Sequence, residues 1–269
     1  MSAEAKKVDP PIVRAEATSG WLRCWMGLPD WSFRAAGAAF FIAYLWSRCG
    51  PYLEDWPRVG PYRWEMDADG APIADSVRYF PMAKILTDLT FLLIILAFCF
   101  RLPPRRRASS ARQIVIPLIA GFWPLTPFIL HGLLVAVRGD WGAALDRMLG
   151  FGPTSLGRFY AGVILLTIGN ALDVWGYGTL FRSLSIVAEA RVLKTRGPYR
   201  FIRHPIYLGQ FISQAGFWLV LVRLQAVWVA FYLLFVVMQL YRARIEETVL
   251  ENEFGASYAD YRRRTYWFV

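Results

Sequence analysis

Long apolar runs decide what this chain can fold into. The runs 81–100, 114–137, 159–181, 205–222 and 224–241 reach the length of about 18 residues that a roughly 30 Å hydrocarbon slab requires of a spanning helix. A further run, 32–48, brings the candidate spans to six. It is the weakest, since Arg34 and Arg48 bracket a short stretch from Ala35 to Ser47. Hydrocarbon offers no hydrogen-bond partner to a backbone, so runs of this kind must be helical. The sequence therefore predicts an all-α fold, a polytopic transmembrane helical bundle of about six spans. A composition that is 56% hydrophobic and 16% aromatic over 269 residues agrees.

The runs carry internal detail. Pro117, Pro124 and Pro127 predict a kinked third span. Lys84 and Asp88 lie one turn apart near the start of the second, where each compensates the other. Asn170 and Asp173 are the polar residues of the fourth; they either bond a neighbouring helix, the simpler reading, or polarise an acceptor pocket. His131, mid-span, faces the same choice, because ionisable groups at membrane depth are functional candidates. Only Arg223 separates the last two spans, so they form a tight helical hairpin.

Charge orients the set. Between 50 and 80 stand six acids (Glu54, Asp55, Glu65, Asp67, Asp69, Asp75) against three arginines. Segment 101–112 has five arginines (Arg101, Arg105, Arg106, Arg107, Arg112) and no acid, and 182–203 has six basic residues with Glu189 alone opposing them. Cytoplasmic loops collect Lys and Arg. Placing both basic segments inside makes both termini cytoplasmic and requires an even number of spans, which six satisfies. The Arg105–Arg107 triplet fixes topology and touches anionic lipid.

The net charge of +10 is thus spread over short loops, which argues against a nucleic-acid partner. Cys24, Cys49 and Cys99 show no paired spacing, and His131 and His204 are the only histidines, so no metal site is expected. Residues 1–20 mix Glu4, Lys6, Lys7, Asp9, Pro10 and Pro11 without an apolar centre, unlike a cleavable signal. Trp21, Leu22, Arg23, Trp25, Met26 and Trp31 suit the headgroup layer. The expected organisation is a cytosolic tail and interfacial segment (1–31), a four-span membrane region (32–181), and a C-terminal region (182–269) holding the hairpin and a cytosolic pocket.

The polar stretches flanking that hairpin carry the chemistry. Gly197-Pro198 marks a turn. His204-Pro205 disfavours helix at His204 and permits one to start at Pro205. An irregular polar segment therefore feeds directly into a membrane helix, whose free N–H groups attract carboxylates. Beyond the hairpin, Arg242 and Glu246 are four apart on one helical face. A plain interfacial ion pair is the bland alternative for them.

Taken together, Gly197/Tyr199, Arg203-His204-Pro205-Ile206-Tyr207-Leu208-Gly209, Arg242/Glu246/Glu247 and Phe254-Gly255/Tyr258/Tyr261 resemble the isoprenylcysteine carboxyl methyltransferase and phospholipid methyltransferase family. The resemblance covers roughly 185–262. It implies a cytosol-facing S-adenosylmethionine pocket made from the ends of the last spans. It also implies cofactor contacts at Arg191, Val192, Leu193, Lys194, Tyr199, His204, Pro205, Ile206, Tyr207 and Glu246, and a substrate-side Arg242. Arg191 to Lys194 lack a close side-chain match, so their contacts are expected from backbone. The chain closes Arg262-Arg263-Arg264-Thr265-Tyr266-Trp267-Phe268-Val269, where the family often has a Val-Pro-type segment.

These residue types suit methyl transfer. A carboxylate binds an ammonium or ribose hydroxyl, and tyrosine rings face a sulfonium. An acceptor carboxylate needs no base and is oriented by Arg242. An amine acceptor would lose a proton to Glu246 or Glu247, although Glu247 serves equally as a solvated partner of Arg244. The expected acceptor is a lipid or lipid-like molecule, isoprenylcysteine carboxylate first. A phospholipid amine or a small thiol on the same scaffold is the alternative. An NADPH-dependent sterol-type reductase and a non-catalytic membrane protein stand outside this class.

Overall fold

The computed structural model describes residues 24, 27–59, 81–137, 155–221 and 225–266. All six predicted spans are helical: α1 (Asp30–Val59), α2 (Pro81–Phe100), α3 (Ala111–Phe122) continued by α4 (Thr126–Val137), α5 (Leu156–Leu180), α6 (Pro205–Ala215) and α7 (Ala226–Phe254). A short helix, α8 (Ala256–Arg264), follows. Four stretches are long and apolar enough to cross a bilayer: Met82–Phe100, Ala111–Leu130, Gly157–Ser183 and Ala226–Phe254. The described residues contain no strand, only two isolated bridges, Arg106 with Ala190 and Ile202 with Tyr266. The chain is an all-α membrane bundle.

Local chemistry accounts for most boundaries. Pro124 and Pro127 cannot donate backbone hydrogen bonds, and the third span tightens there into a 3₁₀ turn, Trp123–Leu125, between α3 and α4. Pro205 takes the first position of α6, where a missing N–H costs nothing. Two boundaries differ from expectation. α1 continues through Gly50-Pro51 to Val59, and α6 passes into a π-helical turn, Gly216–Leu221.

A glycine seam brings α5 against α6. Gly162, Gly169 and Gly176 recur every seven residues on α5, and Gly209 on α6 is followed at the same spacing by Gly216, the first residue of the π-helical turn. A methyl group at Gly169 would stand 2.5 Å from the Gly209 carbonyl oxygen; one at Gly216 would stand 2.8 Å from that of Gly162. Two turns separate successive members, so all face one way, and small residues let helix backbones approach where lipid provides no hydrophobic drive.

Asn170 donates to the carbonyl of Ala83 (3.3 Å) and to Thr87 (2.8 Å), tying α5 to α2. Lys84 and Asp88 form the expected pair. The stacked Trp218 and Trp228, 4.5 Å apart, join the π turn to α7. The His131 side chain, the interfacial residues Trp21, Leu22, Arg23, Trp25 and Met26, and 60–80 lie outside the described residues.

Both basic segments meet at one end of the bundle. Arg105 and Arg106 donate backbone N–H groups to the Ala190 carbonyl, and Ala188 donates to that of Gln113. Buried charges reinforce this end. Asp30 accepts from Arg34 (2.7 Å) and Arg101 (2.9 Å), with Arg191 3.7 Å away. Arg191, 2% exposed, also pairs with Glu189 at 2.8 Å and donates to the Leu102 carbonyl. α1, the 101–110 loop and the strip after α5 are thereby locked together.

Candidate active site

A cavity opens at that end, where the last turns of α5, the strip 183–194, the turn Gly197–Arg200, the start of α6 and α7 from Arg242 to Leu250 meet. Its polar centre is Glu246. Oε1 of Glu246 accepts from the Tyr207 hydroxyl at 2.5 Å and from Nε of Arg242 at 2.9 Å. Oε2 accepts no hydrogen bond among the described residues. Arg242, 8% exposed, donates through Nη2 to the Ile186 carbonyl at 2.9 Å, and its guanidinium lies 5.3 Å from the centre of the Tyr207 ring. The carboxylate is therefore fixed from two sides by groups on different elements, with one oxygen left over.

Helical spacing explains the arrangement. Arg242 and Glu246 pair as one turn of α7. His204 caps the start of α6 and Tyr207 follows three residues later, so their rings stack in parallel at 5.2 Å. Glu247, the next residue after Glu246, points elsewhere: Oε1 accepts from Arg203 at 2.9 Å and lies 3.3 Å from Nε2 of His204. Glu247 thus grips the His204 segment from behind and does not line the cavity. Its partners are Arg203 and His204, and not Arg244.

The turn carrying Tyr199 depends on Gly197, whose φ of +59° only glycine adopts without strain. Tyr261 of α8 donates to the Tyr199 carbonyl at 2.9 Å. Arg203 reaches the carbonyls of Arg262 (3.1 Å) and Thr265 (3.4 Å). Burial pushes the Tyr199 hydroxyl well above the usual phenol range, with Tyr177 and Tyr261 adding to the effect, so it stays a neutral donor. Burial lowers the Arg191 guanidinium, opposed by Glu189 and Asp30.

Of the residues singled out from sequence, Arg191, Val192, Leu193, Lys194, Tyr199, His204, Ile206, Tyr207, Arg242 and Glu246 line the cavity. Pro205 is buried behind it as the first residue of α6. Arg191 lines it with Nη1 and Nη2 committed to the Leu102 carbonyl, Glu189 and Asp30, while its buried Nε has no hydrogen-bond partner among the described residues.

Arg203 and Tyr261, part of the sequence pattern but given no site role there, also line it, and the residues that sequence reading passed over are Tyr177, Leu180 and Ser183 at the end of α5, Leu184, Ser185, Val187 and Glu189 beyond it, and Leu250 on α7. Tyr177 accepts from Gln210 at 3.2 Å. The Ser183 hydroxyl is buried without a hydrogen-bond partner among the described residues. The seven-residue glycine repeat was the available signal for the α5 residues, since it sets that helix against α6. Asp173, one turn before Tyr177, is buried against Gly209; its Oδ1 has no hydrogen-bond partner among the described residues, and it lies outside the cavity lining.

No curated protein matches the chain. A family model described as phospholipid methyltransferase matches residues 157–257. That stretch opens in the first turn of α5, takes in the glycine seam, the Tyr199 turn, His204 to Tyr207 and the Arg242–Glu246 pair, and closes just after the Gly255 turn. The cavity-building part of this membrane protein, residues 157–257, is thus the part that is similar to the phospholipid methyltransferase family.

Proposed function

We propose that the protein is an S-adenosylmethionine-dependent membrane methyltransferase acting on a lipid-like acceptor, with its cavity facing the cytoplasm and both termini on that side. The observation that carries this reading is the open Oε2 of Glu246, a carboxylate held in place by Tyr207 and Arg242 inside a cavity lined by Tyr177, Tyr199, Tyr207 and Tyr261. The donor set fits the cofactor. A carboxylate suits an ammonium or ribose diol, Tyr199 and Tyr207 offer ring faces and hydroxyls, and the buried Ser183 hydroxyl, without a partner among the described residues, would find one in a ligand.

When bound, the cofactor supplies an electrophilic methyl group on a sulfonium. The chain's contribution is position. Glu246 and Tyr199 would hold the cofactor, His204 would present a ring nitrogen fixed by Glu247, and the strip 191–194 would offer backbone groups. Effective molarities gained by orientation account for a large part of such a rate enhancement, about 7–11 kcal/mol at most. No nucleophilic side chain is needed.

For the acceptor, an isoprenylcysteine-type carboxylate is the first reading. Nη1 of Arg242 takes part in neither bond described above and would orient it. A phospholipid amine is the second, favoured by the description of the matching family and by the carboxylate of Glu246, which would take the departing proton. Proteoliposomes given methyl-labelled S-adenosylmethionine with either an S-prenylcysteine or phosphatidylethanolamine separate the two. Base-labile label on the first supports the ester-forming reading, and base-stable label on the second supports the amine reading. Label on neither, or stabilisation by NADPH in place of S-adenosylhomocysteine, defeats the proposal.

A further inference from the structure

We infer that the C-terminal helix α8, with the turn it covers, forms a docking surface for anionic phospholipid headgroups. The path of the chain leads there. α7 leaves its apolar stretch near Tyr241 and runs on to Phe254, about 20 Å farther at 1.5 Å per residue. At Gly255, with φ +49°, the chain reverses and α8 comes back along α7, Arg262 lying 3.6 Å from Glu251.

Its end reaches the start of α6. Tyr266 donates to the Phe201 carbonyl at 2.8 Å and accepts from the Arg203 N–H at 3.1 Å, two residues before the helix at Pro205 enters the bundle. The returning helix therefore ends at the depth where a spanning helix begins, which is the headgroup layer.

The side chains at that level match an anionic lipid surface. Arg262, Arg263 and Arg264 are exposed, and Arg200 is exposed beside them on the covered turn. Phe201 and Tyr266, 49% and 81% exposed, lie where the two segments join, with the Arg200 guanidinium 4.5 Å from the centre of the Phe201 ring. Asp260 opposes Arg263 and Glu251 opposes Arg262, so positive charge remains in excess. Exposed aromatic rings flanked by arginine are unfavourable facing bulk water and suited to an interface, with each arginine near a negative leaflet adding attraction. A soluble polyanion would satisfy the arginines but not Phe201 and Tyr266.

The test uses the full chain in nanodiscs without cofactor, so its outcome is independent of the methyltransferase reading. Thermal unfolding is compared in phosphatidylcholine and in phosphatidylcholine mixed with phosphatidylglycerol. The wild type should melt several degrees higher in the anionic discs, and high salt should shrink the difference. The triple variant Arg262→Gln, Arg263→Gln, Arg264→Gln should lose half or more of that shift, while the corresponding lysine triple keeps it. If the glutamine triple unfolds in neutral discs, Arg200→Gln, which leaves α8 intact, should itself reduce the shift. An undiminished shift in the glutamine variants would overturn the inference. So would an equal stabilisation of neutral discs by heparin.

Discussion

Glu246 and Glu247 are adjacent carboxylates with different duties, and the difference comes from helix geometry alone. Neighbouring positions on a helix point about 100° apart, so Glu246 faces the cavity while Glu247 faces Arg203 and His204. Glu246→Gln keeps the shape but removes the charge. Charge-assisted hydrogen bonds of this kind contribute about 1.5–3 kcal/mol, so calorimetry with S-adenosylhomocysteine should show affinity weakened by about 10- to 100-fold. Glu247→Gln should act through the His204 segment and cost affinity less, by about 3- to 10-fold, because its hydrogen bonds survive in neutral form. Equal losses in the two variants would contradict this division. The Arg242–Glu246 pair was legible in the sequence because one turn of one helix contains it. The partner of Glu247 was not, since Arg203 lies 44 residues away in sequence and its approach is decided by how α6 and α7 close on each other.

Among the elements, α5 and α6 hold the cavity together through the glycine seam. Gly169→Ala would push a methyl group to within 2.5 Å of the Gly209 carbonyl oxygen and the Ser213 nitrogen. Backbone cannot yield as a flexible side chain does, and overpacking costs about 1–3 kcal/mol or more. Gly157→Ala, in the same helix with nothing within 4 Å, should be neutral or stabilising by up to about 1 kcal/mol, since alanine favours helix. Thermal unfolding in detergent should therefore separate the two substitutions sharply, and equal melting temperatures would refute the seam. Periodicity and proline placement made the helices readable, including the break at Trp123–Leu125. The contribution of Tyr177 and Leu180 to the cavity was hidden, because hydropathy says which residues enter the membrane but not which helix faces which.

For the molecule as a whole, the 101–110 loop, the strip 184–194 and the first turn of α1 are tied through Asp30, Arg101, Arg191 and Glu189. Asp30→Asn would leave buried guanidinium groups short of compensating charge. Breaking such a cluster costs about 3–5 kcal/mol, so the variant should melt at markedly lower temperature and bind S-adenosylhomocysteine more weakly, since Arg191 belongs to the cavity wall. A full-strength ligand response from Asp30→Asn would show that the N-terminal helix does not support the site. The central claim is that the cavity around Glu246 receives the nucleoside of S-adenosylmethionine. Thermal unfolding of the detergent-solubilised protein, titrated with S-adenosylhomocysteine, tests it most directly. The melting temperature should rise with ligand in the wild type, stay flat with NADPH, and stay flat in Glu246→Ala over the same range. A wild type indifferent to S-adenosylhomocysteine, or a Glu246→Ala variant that responds as the wild type does, would contradict it.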